Sequence, residues 1–197
     1  MVDVLSHRTE AHYTALSQLI ELHAETLGLF ANRLIDALMQ ERKIFCCGLG
    51  ANAQNASTFV GRLIDRFDCE RPAFPAIALT PGSALVSPFV PANNEDLLAR
   101  PLQALANPGD ILLMLATLDH PSLQSALLAA DELQLGILVI TAESGIRIPE
   151  SIDAALLPVP ATEPALVHEL HLFVLHCCCD LIDNALFGVH DEENFDS

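Results

Sequence analysis

The stretch KIFCCGLGANAQNAS, residues 43–57, decides how this chain is read. It opens on a short apolar run, breaks at Gly48 and Gly50, and continues in a helical pattern. A buried strand that ends in a glycine turn and enters a helix is how open α/β sheets present backbone amides, and the positive end of a helix dipole, to an anion. Gly48, Gly50, Ala51 and Asn52 are therefore candidate ligand-binding positions, and Asn52 is the expected N-cap. A tight strand-to-helix turn that holds nothing reads the same way.

Outward from this turn the pattern repeats. The runs AIAL (76–79), DILLMLAT (110–117), GILVITA (136–142) and DAALLPV (153–159) are apolar without strict alternation. Continuous runs of that length mark strands covered on both faces, hence a mostly parallel sheet. Helix-like segments lie between them at 53–66, 94–106, 121–134 and 163–187. The alternation predicts an α/β fold, a three-layer α/β/α sandwich with right-handed crossovers. Residues 80–94 contain three prolines and read as a loop. Before the first strand, residues 9–41 carry Leu16, Ile20, His23, Leu27, Phe30, Leu34 and Leu38 at spacings of three and four, one apolar helical stripe. The organisation expected is a helical arm over 1–42, a domain over 43–190 and an acidic tail over 191–197.

Composition narrows the function classes. The 197 residues carry a formal charge of −17, with eight Arg and a single Lys that form no cluster. That argues against nucleic-acid and anionic-membrane binding, and it repels a free sugar phosphate, although salt screens that repulsion within about 10 Å. Hydrophobic residues make up 51%, a surplus that predicts a buried subunit interface. No continuous apolar run reaches the roughly 18 residues of a membrane span. The six cysteines fall as Cys46-Cys47, Cys69 and Cys177-Cys178-Cys179. Adjacent cysteines suit apolar packing better than a disulfide framework, so a cytoplasmic, reducing location is expected.

The segments KIFCCGLGANAQNASTFVGRLIDRFDCERPAFPAIALT, NPGDILLMLAT and VHELHLFVLHCCCDLIDNALF together resemble the SIS (sugar isomerase) domain family. Within that family they are similar to the branch holding the phosphoheptose isomerases and the DnaA initiator-associating protein. The resemblance implies a flavodoxin-like five-stranded parallel sheet, homodimers or homotetramers, and sites at subunit boundaries. It also implies a ketose-to-aldose phosphate isomerisation, which needs a general acid and base within hydrogen-bond reach.

Carried over position by position, the resemblance implies a depleted site. Where the family's turn has Gly-Asn-Gly-Gly-Ser, this chain has Gly48, Leu49, Gly50, Ala51 and Asn52. The family's helix His and Glu, the latter the expected base and metal ligand, fall on Thr58 and Arg62. A guanidinium accepts nothing. The second phosphate loop reads Ala116, Thr117, Leu118, Asp119, His120 and Pro121, and only Thr117 persists. On the last helix His168 replaces Gln, while Glu169, His171 and His176 match. Each lost hydrogen bond to a charged group costs about 1.5–3 kcal/mol. Asp119 near a phosphate adds repulsion of roughly 4 kcal/mol at about 4 Å and an effective dielectric of about 20, whereas a helix N-terminus returns at most about 2 kcal/mol. His120 or Arg62 rescues the phosphate only if one of them points inward.

Other groups stay open. His168 and His176 share a helical face. They bind a transition metal such as zinc with Glu169 or Asp119, or they are histidines of a polar crevice or subunit seam. No other cofactor is expected. Asp180 and Asp183 read as a solvated helix edge. Leu186 and Phe187 either cap the core or, as the resemblance implies, contact the initiator DnaA. Three functions compete. The first is a non-catalytic oligomer that binds the replication initiator, with Leu186 and Phe187 as partner residues. The second is a sedoheptulose 7-phosphate isomerase with His176 catalytic. The third is a phosphosugar sensor without turnover. The first is the favoured expectation.

Overall fold

The computed structural model describes residues 2–80 and 95–188; the tail and most of the 80–94 loop lie outside the described residues. Five strands, β1 (Ile44–Gly48), β2 (Ala76–Leu79), β3 (Ile111–Ala116), β4 (Gly136–Ala142) and β5 (Ala154–Val159), form one sheet. All neighbouring pairs are parallel and the order is β2-β1-β3-β4-β5. This is the flavodoxin-like order, whose direction of winding reverses between β1 and β3. The helices are α1 (Val2–Met39), α2 (Ala51–Ile64), α3 (Ala99–Leu105), α4 (Pro121–Glu132) and α5 (Pro164–Phe187), with a 3-10 turn at Glu95–Leu97. The five apolar runs of the sequence all fall on strands. The α/β sandwich with an N-terminal helical arm is the architecture the pattern predicts.

The strands are apolar throughout because both faces are covered. Alternate residues feed two cores. Ile44, Cys46, Leu113, Leu115, Leu138, Ile140 and Leu157 face α1, α2 and α5. Phe45, Cys47, Leu112, Met114, Ile137 and Val139 face α3 and α4. Register follows from this pairing, with Ile44 opposite Ile111 and Gly48 opposite Leu115. A slip of one residue would send each set to the wrong core.

Four local readings need correction. The arm helix begins at Val2, not near residue 9. Its buried line runs through Ala15 and Leu19 before Leu27, Phe30, Leu34 and Leu38, so Ile20 is left 47% exposed. The third correction concerns α5. It is long and apolar enough, by length and composition, to cross a membrane, with a mean hydropathy of 1.5 over its best window. Scattered charges hide this when only unbroken runs are counted. Here Val167, Leu170, Val174, Leu175, Cys178 and Ile182 are spent on the first core. The last is Asp183, which is no solvated edge. It is 1% exposed, and its carboxylate takes Arg71 Nε at 2.7 Å and the Asp68 amide at 3.3 Å. Arg71 in turn donates to the carbonyls of Leu63, Pro72 and Arg62 and lies 4.4 Å over the Phe74 ring. The buried pair is fully hydrogen-bonded, the condition under which burial of two charges is tolerated. It ties the 65–75 connection to α5.

Candidate functional site

A crevice of about 330 Å³ opens where the sheet reverses, outside the carboxyl ends of β1 and β3. That position follows from topology, because the turns after β1 and β3 lead to opposite faces and part there. Its walls come from the β1–α2 turn, the β3–α4 turn and the start of α5. Of the sequence-predicted positions, Gly50, Ala51, Asn52, Thr117, Asp119, His120 and His168 all line it.

The two glycines of the first turn have separate reasons. Gly48 sits where an added Cβ would come within 2.5 Å of the Asn52 Cβ, so its missing side chain lets α2 fold back on the strand end. Gly50 has φ of 59° and flanks the helix as its N-cap, a conformation costly for any residue with a Cβ. Asn52 is therefore not the cap. It lies inside the first turn of α2 and is 1% exposed. Its Nδ2 donates to Thr117 Oγ1 at 3.0 Å and to the Leu115 carbonyl at 3.4 Å, and its Oδ1 lies 3.0 Å from Nδ1 of His171. With Nδ2 engaged as donor, Oδ1 is the acceptor, which fixes the proton of His171 on Nδ1. This one carboxamide joins α2, β3 and α5 under the crevice floor.

The second turn is similarly committed. His120 caps α4, its Nδ1 accepting from the Ser122 amide at 3.1 Å. Pro121 at the first helical position has no amide to offer. Asp119 accepts from Gln124 Nε2 at 2.7 Å. Leu118 is 69% exposed beside it. Of the two side chains expected to meet an anion, Arg62 lies outside the crevice wall, exposed and 5.8 Å over the ring of Phe67, whereas His120 lines the crevice, its Nδ1 committed to its own helix and its Nε2 therefore carrying the proton.

Other expected residues lie elsewhere. Thr58 is exposed on α2 and is not part of the crevice wall. The His176 ring packs 5.5 Å from Phe67, and its buried Nε2 has no partner. Glu169 points to the arm helix, where it accepts from Arg8 at 2.8 Å and meets His12 Nδ1 at 3.1 Å; the bond from Arg8 holds its pKa below the usual carboxylate range. Among the described residues the donor set does not fit a metal. No three His, Cys, Asp or Glu side chains converge among the described residues, and the position of the expected carboxylate ligand is Arg62. Burial pushes the Cys47 thiol up to about 12 and the Cys177 thiol up to about 11, so neither is a nucleophile at neutral pH.

Leu186 packs against the first core, whereas Phe187 is 41% exposed with its ring 6.2 Å from that of Phe74. The sequence missed the apolar walls Leu115, Leu123 and Pro164. Their only signal is position: each stands within three residues of a strand or helix end that the topology brings to the crevice.

The SIS domain, as a family, matches residues 9–142. A phosphoheptose isomerase of Methylococcus capsulatus is 32% identical over 184 residues, which cover 90% of this chain and 93% of that protein. Another from Aromatoleum aromaticum is 36% identical over 165 residues, with 81% and 82% covered. Among solved structures, a phosphoheptose isomerase from Francisella tularensis superposes with a TM-score of 0.85 at 28% identity, covering 93% of this chain and 98% of that one.

Proposed function

This chain belongs to the SIS domain family, and from that premise we propose that it is a phosphoheptose-isomerase-like binding protein whose crevice no longer turns over a sugar phosphate. The observation that carries this reading is the fate of the chemistry-bearing positions. The residue at the expected base position, Arg62, and the one at the family's neighbouring His position, Thr58, stand exposed outside the crevice wall. The group at the phosphate turn, Asn52, has its donors and acceptor occupied within the chain. Proton transfer needs a base near neutral pKa at the reacting carbon, and a guanidinium is none. Homo-oligomerisation belongs to this reading. So does a reducing, cytoplasmic setting, which the six unpaired thiols support.

A second reading, sedoheptulose 7-phosphate isomerase, is favoured by the relatives at 32% and 36% identity. It requires His176, with its unpartnered Nε2, to reach substrate. The replication-initiator reading rests on the exposed edge of Phe187 and the resemblance of the DLIDNALF ending, and the relatives named above do not speak for it. One assay separates the first two. Purified protein is incubated with sedoheptulose 7-phosphate and followed by NMR for the aldose product. The expected outcome is no turnover above the uncatalysed rate. Turnover that disappears in His176→Ala overturns the proposal in favour of the isomerase. Titration with the initiator's N-terminal domain, with and without Phe187→Ala, tests the third.

A further inference from the structure

The crevice sets two kinds of surface side by side. One is a group of donors where α2 and α4 begin. His120 lines the crevice, and because its Nδ1 accepts from the Ser122 amide, the ring proton sits on Nε2. The Thr117 hydroxyl accepts from Asn52 Nδ2 at 3.0 Å and keeps its own proton to give. On α2 the Asn52 and Ala53 amides turn back to the carbonyls of Leu49 and Gly50. The Gly50 and Ala51 amides stand ahead of them on the crevice wall. Such a group suits the oxygens of an anion. The other surface is apolar. Leu115 and Leu123 line the crevice from within the core, and Leu49, Leu118 and Pro164 reach solvent around it. Leu118 is 69% exposed in the turn between Thr117 and Asp119. A large apolar side chain left in water beside a cavity marks a contact surface. Partners for a row of hydroxyls are few here. Asn52 is spent on Thr117, Leu115 and His171, Asp119 is tied to Gln124, and His168 is the remaining polar side chain of the lining. A hydroxyl pressed onto leucine gives up its bonds to water, whereas an apolar body gains by leaving water.

We infer that the crevice prefers a phosphate monoester with an apolar, ring-sized body to a phosphorylated polyol. The phosphate meets His120, Thr117 and the α2 amides, and the body lies on Leu49 and Leu118, which set the preference. A volume of about 330 Å³ admits a body of that size. Repulsion from Asp119 and from the chain's −17 charge acts on both esters alike and drops out of the comparison. The inference rests on the crevice binding without turnover. Turnover of a sugar phosphate sinks that earlier reading and this one with it, whereas a polyol phosphate bound equally well without turnover sinks only this one.

The test holds the phosphate fixed and changes the body. The full chain is titrated with 2-phenylethyl phosphate and with sedoheptulose 7-phosphate, and with 2-phenylethanol as the body without the phosphate. Leucine methyl groups labelled with 13C report binding. The phenylethyl ester is expected to shift the methyls of Leu49, Leu118 and Leu123 saturably and to bind about tenfold tighter than either other probe, the scale of burying a small apolar group. Leu118→Ser, at an exposed position outside the core, should weaken that ester by about fivefold, part of what full burial of a leucine is worth, and leave sedoheptulose 7-phosphate unchanged. His120→Ser, which keeps a cap for α4, should weaken both esters alike. Four results overturn the inference: no saturable shift with the phenylethyl ester, equal or tighter binding of sedoheptulose 7-phosphate, equal binding of 2-phenylethanol, or an ester affinity unchanged in both variants.

Discussion

The His171 ring is wholly buried on α5, with one nitrogen on Asn52 and the other without a partner. Burial, reinforced by neighbouring His168, lowers its pKa from 6.5 to about 3, against a backbone interaction with Thr141 that works the other way. The unfolded chain therefore binds a proton between about pH 6.5 and 3 that the folded chain refuses, and stability must fall as pH drops through that window, by up to about 1.4 kcal/mol per pH unit. In urea titrations across this range, His171→Leu should start about 1–3 kcal/mol less stable at neutral pH, from the lost bond to Asn52. That deficit should shrink on acidification, because the variant has no ring to protonate; a deficit constant with pH would refute the assignment. At this scale most of the positions singled out in the sequence do meet in one crevice, but several of their side chains make other bonds than expected. Asn52 was legible as a polar residue at a helix start, but a shift of two positions separates a cap from a side chain aimed at the next strand. Only the close approach at Gly48 decides which. Arg62 and Thr58 were legible as side chains that cannot replace a carboxylate and an imidazole, whereas their exposure depends on how α2 meets α5.

Elements were easier to read than residues. Strands β2 and β4 fall on the predicted runs, because a continuous apolar stretch bounded by polar or turn residues admits one placement in a sheet covered on both sides. The arm helix was harder to bound. Its first turn offers only Asp3 as a signal, and its exposed face has no partner in the chain to constrain it. The 65–75 connection shows what pattern cannot reveal: Arg71 and Asp183 are more than a hundred residues apart in sequence and 2.7 Å apart in the fold. Removing one partner leaves the other charge buried and unpaired. Asp183→Ala is expected to lose about 3–5 kcal/mol, read as a lower urea midpoint. Asp65→Ala, on the exposed Arg66 pair, should lose under about 1 kcal/mol. Equal losses would show that the buried pair is not what anchors the connection.

Across the whole molecule, the apolar stripe of α1 outruns its own domain. Val2, Leu5, Tyr13 and Ile20, at spacings of three, eight and seven, fall near one helical face yet are 74%, 64%, 73% and 47% exposed. An uncovered helical stripe on a chain that is 51% hydrophobic suits burial against a second copy. Sedimentation of the full chain should show an oligomer, and the double variant Leu5→Glu/Tyr13→Glu should sediment as a monomer. With −17 on each subunit, raising salt through the physiological range should strengthen association by screening self-repulsion. Weakening by salt would point to an ion-paired interface instead. A wild-type monomer would leave the stripe to some other partner.

The carboxamide under the crevice floor also limits what this turn can become. A serine at position 52 is too short to reach Thr117, Leu115 and His171 together, so swapping it in alone would strand polar atoms on two segments, the end of β3 and α5, each buried one costing on the order of 1–3 kcal/mol. A hydroxyl can therefore be installed there only alongside compensating changes at those partners, and the turn is redesigned as a unit or not at all.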